Sequence, residues 1–272
     1  TLSGNSNTIA VGNGDSLILT GNSNQITLSA NAAISVTGQN NTVQVVAGND
    51  LVVTSGSATV DVGGVNAAVI VTGDGDSLNI SGSQSAVAVT GNALTASLSG
   101  AHDTLNVSGN GANVTVTGSS AIISVSGQNN AVTVVGSASQ IQTSGATTVT
   151  FDGTDTVGSV AGNGDTIAVN GVGNSVSITG TGGTVSSGNG GASITLDNGN
   201  YNVSTGTGAN TLAFGNGANI VTLGSGNNSV TLGSGVDTVT LGSGQATISL
   251  GGNDIIASGT VAGNSADESQ AV

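Results

Sequence analysis

From Gly206 to Leu250 apolar and polar positions repeat with a period of nine: GTGANTLAF, GNGANIVTL, GSGNNSVTL, GSGVDTVTL, GSGQATISL. Each nonapeptide opens Gly-x-Gly and closes on an apolar-x-apolar triplet, giving the pairs Leu212/Phe214, Val221/Leu223, Val230/Leu232, Val239/Leu241 and Ile248/Leu250. Side chains two apart on a strand share a face, so each pair predicts a short strand with one buried side. A turn and a strand repeated at fixed spacing predict a solenoid.

The same beat runs through the rest of the chain. Glycines Gly73, Gly82, Gly91, Gly100, Gly109, Gly118, Gly127, Gly136 and Gly145 are nine apart. Apolar residues follow each at fixed distance, as in Leu105/Val107, Val114/Val116, Ile123/Val125 and Val132/Val134, while Thr115/Thr117 and Ser124/Ser126 are expected to face water. Turn glycines are expected to supply positive φ, as Asn and Asp also can. The segment from Ile34 to Val46 returns as Ile123 to Val135, an offset of 89 residues. That is close to ten nonapeptides, and ten divides by two but not by three, which favours two strands per coil. Eighteen-residue coils would number roughly 15 and, at about 4.8 Å each, stack to roughly 70 Å. The expected fold is therefore an all-β, parallel β-solenoid, continuous over residues 1–257. Residues 258–272 lose the period and gather Asp267 and Glu268, as a tail, cap or docking arm would.

Composition narrows the function. Among 272 residues there are 47 Gly, no Pro, Cys, Met or Trp, and 1% aromatics, so no ordinary globular core is available. Strict alternation argues against the disorder such polarity would otherwise suggest. Lys and Arg are both absent and the net charge is −14, which speaks against binding nucleic acid or anionic lipid. No apolar run is long enough to cross a membrane as a helix. Without Lys or Arg there is no cleavage site for trypsin-like proteases, which suits an exposed extracellular material. The missing initiator Met leads us to expect a chain processed from a longer precursor.

The nonapeptides from Gly206 to Leu250 resemble the calcium-binding RTX repeats, Gly-Gly-x-Gly-x-Asp-x-(apolar)-x, which fold as a parallel β-roll. Leu232-Gly-Ser-Gly-Val-Asp-Thr-Val-Thr240 carries the resemblance best. In that family calcium is held between the loops of successive coils, which makes Asp237 and Asp254, 17 residues apart, the metal-ligand candidates. Asn210, Asn219 and Asn228 stand in the aspartate column, and an amide brings no charge to a hard cation. Stacked Asn side chains can bond to one another without an ion. A looser resemblance links the chain to bacterial surface solenoids and adhesin stalks.

Catalytic chemistry is sparse. His102, the only histidine, neighbours Asp103 in a turn, where both are expected to be solvated. Asp74/Asp76 and Asp152/Asp155 are the possible carboxylate pairs, but only Tyr201, Phe151 and Phe214 could stack on a sugar. The expected protein is not an enzyme. It is an extracellular fibre subunit or stalk whose partners are copies of itself, stacked end to end at uncapped coil ends such as that at Thr1. A calcium-dependent secreted module is the alternative. Ice binding through Thr rows such as Thr115, Thr117 and Thr133, broken at Val135 and Gln142, is a third.

Overall fold

The computed structural model describes residues 1–257 and the backbone of Ser265–Asp267. The expected tail otherwise lies outside the described residues. Those residues form strands and turns without helix, and gather into two compact units, Thr1–Ser139 and Gln140 onward. Each unit is a parallel β-solenoid with two strands per coil.

In the first unit consecutive strands alternate between two sheets, and each strand pairs in parallel with the strand one coil away. The first sheet runs from Leu2–Ser3 and Ser16–Thr20 through Leu51–Ser55, Ala68–Thr72, Ala86–Thr90 and Thr104–Ser108 to Ile122–Ser126. The second runs from Thr8–Val11 through Ala58–Val62 and Asn113–Val116 to Asn130–Val134. In the second unit one sheet begins with Gln140–Ser144 and Val157–Ala161 and the opposite one with Thr147–Phe151 and Asp165–Val169. Tight corners joined by short strands leave no length for a helical crossover, so parallel pairing arises by coiling alone.

The alternation predicted from the sequence sets the core. Leu105 and Val107 register with Ile123 and Val125, and Val114 and Val116 with Val132 and Val134; all are buried. Each such side chain contributes about 1.5–3 kcal/mol when fully buried. β-branched residues dominate because they fit a pleated surface packed on one side. Coils are 18 residues where Ala86 pairs with Thr104 and 17 where Ser16 pairs with Ala33. The missing residue falls in a corner, so strand registry and inward facing are unaffected.

The second unit departs from this pattern at several inward positions, Gly158 among them. Phe151, fully buried, projects from one sheet toward Gly158 on the opposite sheet, where the pattern calls for an aliphatic residue. A Cβ on Gly158 would sit 2.7 Å from Phe151 Cε1, so the glycine is the space the ring fills. Tyr201 is accommodated likewise beside Gly183 and Gly199, its hydroxyl donating to the Gly180 carbonyl at 2.7 Å.

Candidate functional site

Chemistry in this chain is concentrated at the coil corners. A typical corner is Gly100-Ala101-His102-Asp103. Its third residue is left-handed, with φ 61° at His102, 61° at Gln84, 58° at Ser120 and 55° at Ala138. Positive φ therefore falls two residues after these corner glycines, on side chains of several kinds. The glycine answers a different need: a Cβ on Gly100 would collide with the Gly82 carbonyl one coil below, and one on Gly118 with that of Gly100. Expecting the turn glycines to serve positive φ thus holds for some corners, such as Gly56 (φ 90°), but not for this series.

The residue that closes a corner, the fourth in Gly100–Asp103 and the third in shorter corners such as Gly56–Ala58, turns inward, where its N–H needs an acceptor. A side chain one coil later supplies it. Ser85 N–H donates to Asp103 Oδ1 (2.9 Å), Ala58 to Asp76 Oδ1 (2.8 Å), Ala112 to Asn130 Oδ1 (2.8 Å) and Asn24 to Asn41 Oδ1 (3.0 Å). The second unit repeats the contact from Thr147 to Asp165 (2.7 Å), Thr156 to Asn174 (2.8 Å) and Ala192 to Asn210 (3.2 Å). On the outer rim the direction reverses: Asn110 N–H donates to Asn92 Oδ1 (3.0 Å) and Gln128 to Asn110 Oδ1 (2.7 Å), with acceptors one coil earlier. The corner Gly109–Ala112, for one, is thus fastened in both directions.

Asparagine and aspartate are not equivalent inside. Buried Asn also donates, as in Asn41 Nδ2 to Gly21 O (2.9 Å), Asn130 to Gly109 O (3.2 Å) and Asn174 to Gly153 O (2.9 Å). Ionised aspartate has no proton to give, and Oδ2 of Asp50, Asp76, Asp103 and Asp237 is buried without a partner. Loss of hydration pushes all four carboxyls, and that of Asp165, above the ordinary carboxylate range. At Asp103 the Ser85 N–H and His102 pull the other way; at Asp76 the neighbouring Asp74 adds to the rise. A proton on Oδ2 would restore the donor that asparagine has.

The sign of the pH dependence follows. A carboxyl whose folded value is raised binds its proton more tightly in the folded chain, so stability is greatest in acid. It declines as pH rises from about 4, the unfolded value, through the folded values. Melting temperatures are expected to be higher near pH 4 than at neutrality. Asp103→Asn should gain about 1 kcal/mol at neutral pH and flatten the profile; an unchanged profile would contradict the assignment.

Sequence candidates separate on this framework. His102 is exposed and Asp103 points the opposite way, fully buried, which corrects the expectation that both are solvated. Asp76 is buried while Asp74 is exposed and accepts from Asn92 N–H (2.7 Å). Asp152 and Asp155 are both exposed, and Asp152 Oδ1 accepts from Asn170 Nδ2 (2.8 Å). Asp237 and Asp254 lie in successive coils along one edge. Asp237 Oδ1 accepts from Asn219 N–H (2.7 Å) and Nδ2 (2.8 Å), and Asp237 N–H donates to Asp254 Oδ1 (3.1 Å). Among the described residues no three His, Cys, Asp or Glu side chains converge.

Eighteen-residue coils divide the Asn column in two. Asn210 bonds to Asn228, and Asn219 to Asp237, nine residues apart in sequence but on opposite edges. The positions 18 residues after Asp76 and Asp165 are Leu94 and Gly183, so neither carboxylate stacks on another; the partner is a backbone N–H 18 residues before.

The outer faces of the first unit differ from each other. On the first sheet one outward column carries only hydroxyls, from Ser3 through Thr20, Thr37, Ser55, Thr72 and Thr90 to Ser126. Beside it lie exposed Ile18, Leu51, Ile70 and Ile122. The second sheet presents Gln44, Asp61 and Asn79 in register.

A family model described as "Protein of unknown function (DUF3060)" matches residues 2–58, well under half of the chain. No curated protein and no solved structure matches.

Proposed function

We propose that this chain is an extracellular structural repeat protein, a fibre subunit or a section of a surface stalk whose copies join end to end. The observation that carries this reading is the two-way corner ladder, repeated coil after coil in each unit. One edge of a coil is complementary to the opposite edge of the next in backbone pairing throughout, and at most steps in glycine stacking or side-chain acceptors as well. A coil from a second copy meets the same complementarity as a coil from the same chain. Extracellular placement is supported by the absence of Lys and Arg, which removes trypsin-like cleavage sites.

In this reading the protein is not an enzyme and its fold needs no metal. The column in which RTX repeats place ligands is filled here by amides and by carboxylates already accepting N–H bonds. Electron microscopy of the purified chain, with and without a calcium chelator, tests both statements. Uniform fibres that survive chelation, with an unchanged circular dichroism spectrum, are expected. Loss of the β spectrum on chelation would transfer the assignment to a calcium-dependent secreted module, and short single particles under all conditions would remove the end-to-end polymer.

A further inference from the structure

The first sheet of the first unit has an outer face without a single charged side chain. Its strands from Ser16–Thr20 to Ile122–Ser126 present three outward residues each, and all of them are apolar, hydroxyl or amide. Acidic residues of this unit lie elsewhere: Asp15, Asp50, Asp74, Asp76 and Asp103 at corners, and Asp61 on the second sheet. Near the middle, Leu51, Val53, Ala68, Ile70, Ala86 and Ala88 register with one another across three successive strands. Leu51 and Ile70 are each 43% exposed, although residues at inward positions of the same strands are buried.

We propose that this face is an interface between two copies of the chain, packed sheet against sheet. Charge selects the occupant. The chain carries 14 acidic side chains and no Lys or Arg, and its single His, His102, lies at a corner, so a second copy can offer no cationic face to a carboxylate. Two copies can approach closely only where neither presents a carboxylate, and in this unit that is the first sheet. The apolar centre with hydroxyls on one flank has the layout of a protein interface, a dry middle bordered by polar groups. Short side chains allow the separation of about 10 Å at which sheets stack. Seven strands of about five residues give a flat footprint on the order of 550 Å². Side-chain relief brings that toward the about 800 Å² per partner of a standard interface. An apolar patch of this kind on a monomer would otherwise be left in water.

Sideways pairing is independent of end-to-end joining and closes at two copies, so the two are separable. Sedimentation velocity of the full chain at low and high salt is the test. A species of twice the monomer mass is expected, and it should strengthen with salt as repulsion between the acidic chains is screened. Ile70→Asp sets carboxylates into the dry middle and should weaken pairing about 100-fold or more. Ala88→Asp should do the same, and Thr27→Asp, on the second sheet, should leave pairing intact; circular dichroism should be unchanged in all three. A wild-type chain that stays monomeric sideways at every salt concentration overturns the proposal, as does pairing that survives both Ile70→Asp and Ala88→Asp. Fibres that form without lateral pairs would overturn this inference alone, and lateral pairs without fibres would overturn only the end-to-end reading.

Discussion

Gly158→Val is expected to destabilise the second unit by about 3 kcal/mol or more, because its side chain must occupy the volume of the Phe151 ring. Neither partner can retreat. Phe151 is fully buried, and its strand registers with Asp165–Val169 through Thr148, Val149, Thr150 and Phe151 itself. Phe151→Ala leaves the opposite defect, a void that should cost about 3–5 kcal/mol. Combined, the two substitutions should recover much of the loss, since valine on one sheet and alanine on the other share the space that glycine and phenylalanine share now. Thermal or urea unfolding of the four members of this cycle reads the coupling directly. Strict additivity would show that the ring and the glycine do not meet.

Gly100→Ala should be nearly as damaging, and Gly111→Asn close to harmless. Alanine at Gly100 would drive its Cβ into the Gly82 carbonyl oxygen, with the carbonyl carbon at 2.6 Å and Asp103 Oδ2 at 2.7 Å. Backbone stacked at this spacing cannot open without unfastening the corner, so a loss of about 2–3 kcal/mol is expected. Gly111 occupies the left-handed third position with φ 67° and nothing within 4 Å of its absent Cβ. Asn40, Asn66 and Asn129 already hold that conformation at equivalent positions, at 57°, 56° and 59°. Asparagine at Gly111 should therefore fall within about 1 kcal/mol of wild type, with lower unfolded-state entropy offsetting any residual strain. Equal sensitivity at the two sites would refute the division between stacking glycines and left-handed positions.

The division also marks where the sequence was legible. Periodicity and alternation identify the fold, because Val, Ile and Leu two apart have one way to hide on a strand; pairs such as Leu105/Val107, Val132/Val134, Val221/Leu223 and Val239/Leu241 are buried as that argument requires, while Leu250, at the end of the series, is half-buried. The offset between Ile34–Val46 and Ile123–Val135 pointed to two strands per coil, as observed. What a period cannot reveal is which neighbour along the stack a residue addresses. Asp76 and Asp165 look unpaired when read forward because their partner is a backbone N–H, which leaves no trace in side-chain identity. Glycine is ambiguous for a similar reason: Gly100 and Gly111 are the same letter, one excluded by a carbonyl and the other held by φ. The Phe151–Gly158 exchange did carry a signal, a glycine at an inward strand position seven residues after one of only two phenylalanines.

Corners tolerate a missing residue, as the 17-residue coils show, but a strand does not. The two half-coils of each turn are nearly interchangeable inside, with the same glycine step, the same inward corner residue and the same apolar pair. Nine residues removed between two corners would leave every core column filled and every stacking glycine above another. All later strands would nevertheless change places between the two sheets. The charge-free face would then cross to the opposite side of the unit partway along, and the Asp61-bearing face would cross the other way. The core reads the chain in frames of nine, while the surface reads it in frames of eighteen. Which side of the unit is free of charge is thus recorded in outward side chains alone, and a deletion that keeps every core column filled would rewrite it.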